Sequence, residues 1–386
     1  GAGSGAGAGA GSGAGAGAGP SVASSVGMAP LPLIMELGAG LAWVVERCGG
    51  EPIVVRELEL TREVLWQRLG VRLPAVRLRP GAPGLAAGEV VVRLWGVEVL
   101  RRELDPSSVW VSCPPEQLPD GVEGARAVVH PVSGARMSEL PGAAVGAHGL
   151  GGEVLSPVRR LMLLLLAAVW PRLEELVGVA DVADRLRELE ATTPALVEAV
   201  VPRPVRLTRL VAVVRRLVEE RVPVQDLRAV LEAFADGASD GMGVLELTEL
   251  ARVALARPLL APWLRDGAVY ALTLSAAWEQ TLRDALEPPH AQPLGHAAGH
   301  APGPPLSAAR AHAQPALALS PHQTDALLTA LERAFTDRVS PPLLVVSQDI
   351  RRVVRQLARL IRPDVTVLGT DEVQGHAQVW GVGVVG

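Results

Sequence analysis

The stretch from Arg206 to Asp236, RLTRLVAVVRRLVEERVPVQDLRAVLEAFAD, constrains the fold more than any other. Leu207, Leu210, Val211, Val214, Leu217 and Val218 fall on one stripe of an amphipathic helix. Arg215, Arg216, Glu219, Glu220 and Arg221 make its wet side. Pro223 lacks a backbone donor and pushes Val222 out of the α region, so the helix stops there. A second stripe follows at Leu227, Val230, Leu231 and Phe234, and Gly237 is placed to close it with a left-handed cap. Helices joined by so short a turn pack back on each other or cross steeply. The middle of the chain is therefore a helical hairpin, with no catalytic residue types on its inner face.

A chain of 386 residues, 49% apolar, has room for two or three domains. Its net charge of -5 argues against nucleic acid, which selects a basic face. Cys48 and Cys113 lack metal-ligand spacing and read, with no signal peptide, as reduced cytosolic thiols. Residues 1–29 form a Gly/Ala/Ser-rich linker.

Leu33–Glu46 reads as a short strand, a glycine turn and a helix start. Leu58, Leu65 and Leu69 line a helix that Gly70 ends. Residues 71–79 alternate as a strand, 88–104 form a hairpin turning at Gly96, and 109–113 are strand-like. The run RLMLLLLAAVW, 160–170, is too short to span a bilayer, which needs about 20 apolar residues, and reads as a buried core helix. Helical signals continue from Asp181 to Val201. Near Val269 a strand begins, and Ser275 caps the next helix. Residues 287–319, rich in Pro, His, Ala and Gly, read as a surface insertion or disordered loop. Ser320, Pro321 and Gln323 signal a capping box. The chain ends on a βαβ unit and a closing strand at 377–385.

The fold class is therefore α+β with several subdomains. An α/β unit (30–70 and 151–180) is interrupted by a β-rich insertion (71–150). A helical middle (181–266) and a C-terminal α/β unit (267–386) follow.

No constellation demands an active site. His296 and His300 are four apart, with His290 and His312 nearby, but their Gly/Pro-rich setting reads as a solvated loop rather than a metal site. The acidic spacing of 236–243 is wrong for a calcium loop. No Ser sits in a G-x-S-x-G context. The Arg pairs at 101–102, 159–160, 215–216 and 351–352 read as solvated helix faces with local Glu partners. No catalytic residue, metal or cofactor is expected.

The stretch LVEERVPVQDLRAVLEAFAD (217–236) resembles a helical signature in the soluble half of the type III export-gate family, the FHIPEP proteins of flagella and injectisomes. LTELARVALAR (247–257), ELGAGL (36–41), Gly96–Glu98, LTLSAAWEQTL (272–282) and LLVVSQDIRRVVRQL (343–357) follow the family's order. The resemblance covers about 33–385. It implies a non-enzymatic cytoplasmic platform at the inner membrane face, with no membrane span in this stretch. It implies a homo-oligomeric ring, usually nine-fold, that docks secretion chaperone–cargo complexes, a gatekeeper and export ATPase-stalk components. Arg215, Arg216, Glu219 and Glu220 are the expected ring contacts, against simple solvation. The family's chaperone groove falls at His130, Pro131, Val132, Ser133 and Gly134, with Leu163 opposite. There the flagellar Asp-Pro-x-Phe-Gly pattern has lost its acidic and aromatic residues, and Leu163 stands near a family Thr. This departure points to an injectisome-type or diverged relative, an apolar groove and a different partner. His130 adds pH sensitivity near neutrality, its unperturbed pKa being about 6.5. The alternatives are a soluble α/β enzyme using the strand-end cleft of the C-terminal unit, and a structural homologue that has lost export.

Overall fold

The computed structural model describes residues 32–47, 51–119, 121–130, 134–142, 150–286, 318–336 and 342–386. The chain opens with β1 (Leu33–Leu37), α1 (Ala42–Arg47) and α2 (Glu51–Leu69). Leu33, Met35 and Leu37 alternate inward, as a half-buried strand requires. Gly70, at φ +69°, ends α2 by donating to Trp66 O. Strands β2 (Val76–Arg79), β3 (Glu89–Leu94) and β4 (Val97–Glu103) follow, and the sheet order is β2-β1-β3-β4. Trp95 and Gly96, both at positive φ, make the tight turn between β3 and β4.

A second, antiparallel sheet contains β5 (Ser108–Val111), β6 (Arg126–Val129), β7 (Arg136–Pro141) and β8 (Val154–Leu155), in the order β6-β7-β5-β8. The insertion expected over 71–150 is thus divided. Strands β2, β3 and β4 join β1, so 76–103 belong to the N-terminal sheet, and only the sheet of β5–β8 is separate. Hydrophobic alternation shows that a strand exists but not which strand it pairs with.

Helix α3 (Pro157–Val169) is the apolar run at 160–170, capped by Ser156, whose Oγ accepts from Arg159 N at 3.1 Å. It lies in the main core, as a buried helix. The helical middle contains α4 (Val179–Glu190), α5 (Pro194–Val200), α6 (Leu207–Glu219), α7 (Leu227–Gly237), α8 (Val244–Ala254) and α9 (Ala256–Leu260). The expected hairpin differs in two ways. Helices α6 and α7 each pack chiefly on a third helix, α8. Gly237 is the last helical residue of α7, and it is Arg221, at φ 59°, that takes the left-handed turn after α6.

The C-terminal sheet has β9 (Leu264–Arg265) paired to β10 (Ala268–Leu274), then β11 (Leu343–Val346), β12 (Thr366–Gly369) and β13 (Gln378–Val385), ordered β12-β11-β10-β13. Its helices are α10 (Ala276–Leu286), α11 (Pro321–Thr336), α12 (Arg351–Ile361) and α13 (Thr370–Val373). The capping box at Ser320 forms in both directions, at 2.9 and 3.2 Å. Strands β11 and β12 are parallel neighbours joined through α12, and β13 lies parallel to β10 at the edge. One face of this sheet, through Val269, Ala271, Leu343 and Val345, shares the main core with the N-terminal and helical units. The other face, through Leu272, Leu274 and Leu344, packs with α11 and α12 in a second core. The fold is α+β, with several units. Among the described residues no helix is long and apolar enough to cross a membrane.

Candidate functional site

Three features carry the expected site residues: a groove, a buried charge cluster and one face of α6.

The groove lies between the edge strand β4 of the first sheet, strands β5–β7 of the second, and α3. Its volume is about 430 Å³. Leu100, Leu104, Trp110, Val128 and Leu164 line it, and Val129, 62% exposed, stands at its mouth. Arg160 ties its two walls together. Its guanidinium donates to Ser108 O, to Ser108 Oγ at 3.1 Å and to Asp105 O at 3.4 Å, and stacks 5.4 Å above the Trp110 ring. Arg160 is therefore buried, not on a solvated face as its pairing with Arg159 suggests. Trp110 Nε1 and Arg160 Nε are buried without a hydrogen-bond partner among the described residues.

His130 follows β6 beside this groove. Its N–H donates to Ala135 O at 2.8 Å, and Gly134, at φ +69°, donates back to His130 O. Pro131, Val132 and Ser133 lie outside the described residues. Burial, then the positive charges of Arg68 and Arg159, push the His130 pKa down. The pH sensitivity expected near neutrality thus moves to lower pH. Leu163, 7% exposed, is part of the main core; Leu164 and Ala167 line the groove instead. A helix turns about 100° per residue, so neighbours in LMLLLL face different ways, and an all-apolar run does not say which one meets the groove.

The second feature is a buried cluster joining α6, α8, α12 and α13. Arg252 donates to Glu372 at 2.6 and 2.9 Å and to Glu220 at 2.9 Å. Arg351 donates to Glu220 at 2.8 Å and holds Glu249 through two nitrogens, one at 2.9 Å. Arg252, Arg351 and Glu372 are almost fully enclosed. Burial pushes the Glu220 carboxyl up, but the charges of Arg252 and Arg351 outweigh it and hold the pKa down at about 2. Glu220 thus departs from the wet side expected for it: it closes a salt-bridge network between the helical middle and the C-terminal sheet. Arg351 likewise is not on a solvated face. Each partner is 120 or more residues away from Arg252 or Arg351 or sits on another helix, so no local spacing announces the cluster.

On α6, Arg215 is exposed and its Nε donates to Val177 O at 2.8 Å. Arg216 is half-buried, and Glu219 accepts from Arg359 at 2.6 Å. The four expected ring contacts therefore do not share one surface role: Glu219 and Glu220 are engaged within the chain.

The strand-end crevice of the C-terminal sheet is filled by hydrogen-bonded side chains. Ser347 Oγ donates to Glu279 at 2.8 Å, and Arg283 donates to Ser347 Oγ at 2.6 Å and to Asp349 at 2.8 Å. Cys113 is buried, with its thiol 3.4 Å from Leu150 O. Among the described residues no group of three or more His, Cys, Asp or Glu is placed to hold a metal. His290, His296, His300 and His312 fall outside the described residues.

The model of the FHIPEP family matches residues 18–378. The flagellar biosynthesis protein FlhA of Bacillus subtilis strain 168 is 26% identical over 358 residues, covering 92% of this chain and 49% of that protein. The chain thus spans about half the length of the curated relatives it matches. Among solved structures, the Chlamydia pneumoniae CdsV protein superposes with a TM-score of 0.79 at 22% identity, over 94% of this chain and 100% of that one. The cryo-EM structure of nonameric EPEC SctV-C gives 0.70 at 19% identity, over 93% and 100%. At such identities these structures speak for the fold.

Proposed function

Because the chain belongs to the FHIPEP family, whose curated relatives include flagellar biosynthesis proteins, we propose that it is the cytoplasmic platform of a type III protein export gate. In this reading copies assemble as a ring, as the similar nonameric SctV-C does, and secretion chaperone–cargo complexes dock in the groove between β4, β5–β7 and α3. The ring receives the gatekeeper and ATPase-stalk components and takes part in substrate selection. It sits beneath the membrane when joined to a membrane-anchored half.

The observation that supports docking is the groove itself. It is concave, its floor is apolar, and Trp110 lines a wall braced by Arg160. Rigid, desolvated aromatic pockets dominate interface energy. Val129, His130 and Gly134 carry no carboxylate, and Arg102, Glu103 and Glu139 add charged groups to the lining, so apolar contact on the floor is joined by polar contact at the walls. Exposed Arg215 and half-buried Arg216 are the α6 residues left to contact a neighbour in the ring; Glu219 and Glu220 act within the subunit.

The test is a pull-down with the purified chain against chaperone–cargo pairs encoded beside its gene. Wild type retains at least one pair, and Val129→Arg, which puts a charge at the mouth without touching the core, loses it about tenfold or more. Equal capture by both excludes the groove. No capture by an assembled ring removes the platform reading.

A further inference from the structure

A larger cleft, of about 880 Å³, opens where the three units meet. Its walls are the end of α2, Trp170 after α3, the α6–α7 turn, Trp263 after α9, and Thr366 at the start of β12. The walls are pinned from both sides. Val224 N donates to Leu69 O at 3.0 Å, and Gln225 Nε2 donates to Trp66 O at 2.9 Å. A Cβ on Gly70 would come within 2.6 Å of Gln225 N, so the turn and the helix end meet as closely as glycine allows. Arg221 lies 5.3 Å over the Trp170 ring and donates to Trp170 O and, at 2.9 Å, to Val218 O. The cleft is thus preformed, like most binding sites.

Its charge is one-sided. Glu220 is the one acidic side chain lining the cleft, and Arg252 and Arg351 already hold its carboxylate. Arg68 is exposed, and among the described residues it makes no ion pair. Arg221 donates to carbonyls here; burial pushes its pKa down, and the carboxylates of Glu174 and Glu219 act in the opposite sense. Two indoles and the rings of Pro223, Pro258 and Pro262 complete an apolar, aromatic surface beside these cations.

We propose that this cleft docks a short segment of another protein in which a bulky apolar side chain stands next to one or more carboxylates. The apolar side chain packs between Trp170 and Trp263, and the carboxylate pairs with Arg68, whose fork matches it in two hydrogen bonds. Tryptophan and arginine are the residue types that concentrate interface energy. The occupant touches all three units at once. The cleft shares no lining residue with the cargo groove, though the charge of Arg68 reaches His130 beside that groove, and it does not depend on the reading given to the groove.

The experiment is fluorescence anisotropy on the whole chain with two labelled, capped nonapeptides. One is Ser-Glu-Asp-Leu-Trp-Leu-Asp-Glu-Ser; the other has lysine at each acidic position. The acidic probe binds at least tenfold tighter than the basic one. Arg68→Glu, on an exposed position, removes that preference, and Ala261→Trp, which fills the cleft, weakens the acidic probe about tenfold or more. Val129→Arg, in the other groove, changes neither. Circular dichroism confirms that each variant is folded. Equal binding of both probes, or acidic binding that survives Arg68→Glu, overturns the proposal. Sedimentation supplies the other arm: if Arg68→Glu abolishes self-association, the cleft belongs to a second copy and the proposal fails.

Discussion

Glu220 and Arg215 are five residues apart on one helix and its cap, yet they answer to different physics. Arg215 stands in water and makes one carbonyl contact. Glu220 sits between two enclosed guanidinium groups. Breaking a buried ion pair outright costs about 3–5 kcal/mol and an exposed charge is worth about 0–1 kcal/mol; without Glu220, Arg252 keeps Glu372 and Arg351 keeps Glu249, so the loss lies below the upper figure. Glu220→Gln therefore lowers unfolding free energy by about 1–3 kcal/mol in a urea titration, and Arg215→Ala changes it by less than about 1 kcal/mol. The same residue sets an acid limit. Its folded pKa, about 2, lies below the ordinary 4.5, so the unfolded chain binds the proton first as pH falls. The contribution is complete above 4.5 and is lost between there and about 2. Thermal unfolding followed across that window shows a steeper fall in Tm for wild type than for Glu220→Gln.

At the scale of elements, the β3–β4 turn holds an aromatic residue where the backbone is left-handed. Trp95 has φ 51° and is half-exposed, so its ring gives little back for the strain. Asn accepts that conformation more readily. Trp95→Asn raises unfolding free energy by about 0.5–1 kcal/mol, read as a higher midpoint in guanidinium. Locally coded elements of this kind were the readable part of the chain. The hairpin at Gly96, the capping box at Ser320, the buried helix at 160–170 and the C-terminal end of α2 each depend on residues within a few positions of one another. Pairing across distance was not readable. Nothing in 71–79 tells β2 to lie beside β1 rather than begin a new sheet. Family resemblance directed attention to His130 and α3, whereas Trp110, Arg160 and Leu164 come together as a groove only once the two sheets are set against each other. Trp110 in VWVSC was legible as a strand residue; its role as a wall was not.

For the whole molecule, the expected behaviour in solution follows from what the platform reading leaves to tethering. Subunits held side by side at a membrane face high effective concentration, so a loose contact suffices. The isolated chain is expected to be mostly monomeric at low concentration and to show higher oligomers by sedimentation as concentration rises. A membrane-tethered form reaches them sooner, and a strict monomer in both conditions contradicts the ring. The buried charge cluster bears on the same scale. It bolts the helical middle to the C-terminal sheet through Arg252 and Arg351, and the shared core extends that union to the N-terminal sheet.

The interrupted N-terminal unit also affects how the chain is made. Strands β1–β4 are complete once residue 103 has emerged, but α3, which packs on β3 and β4, ends only at residue 169. At about 5–20 residues per second, that delay lasts roughly 3 to 13 s. During it the ribosome carries a sheet whose inner face of Leu33, Met35, Val90, Val92 and Leu94 lacks its final cover. The antiparallel sheet of β5–β8, built from neighbouring segments, folds in the interval. The nascent chain is thus most exposed to aggregation while this second sheet is being translated, and slowing synthesis there lengthens the risk.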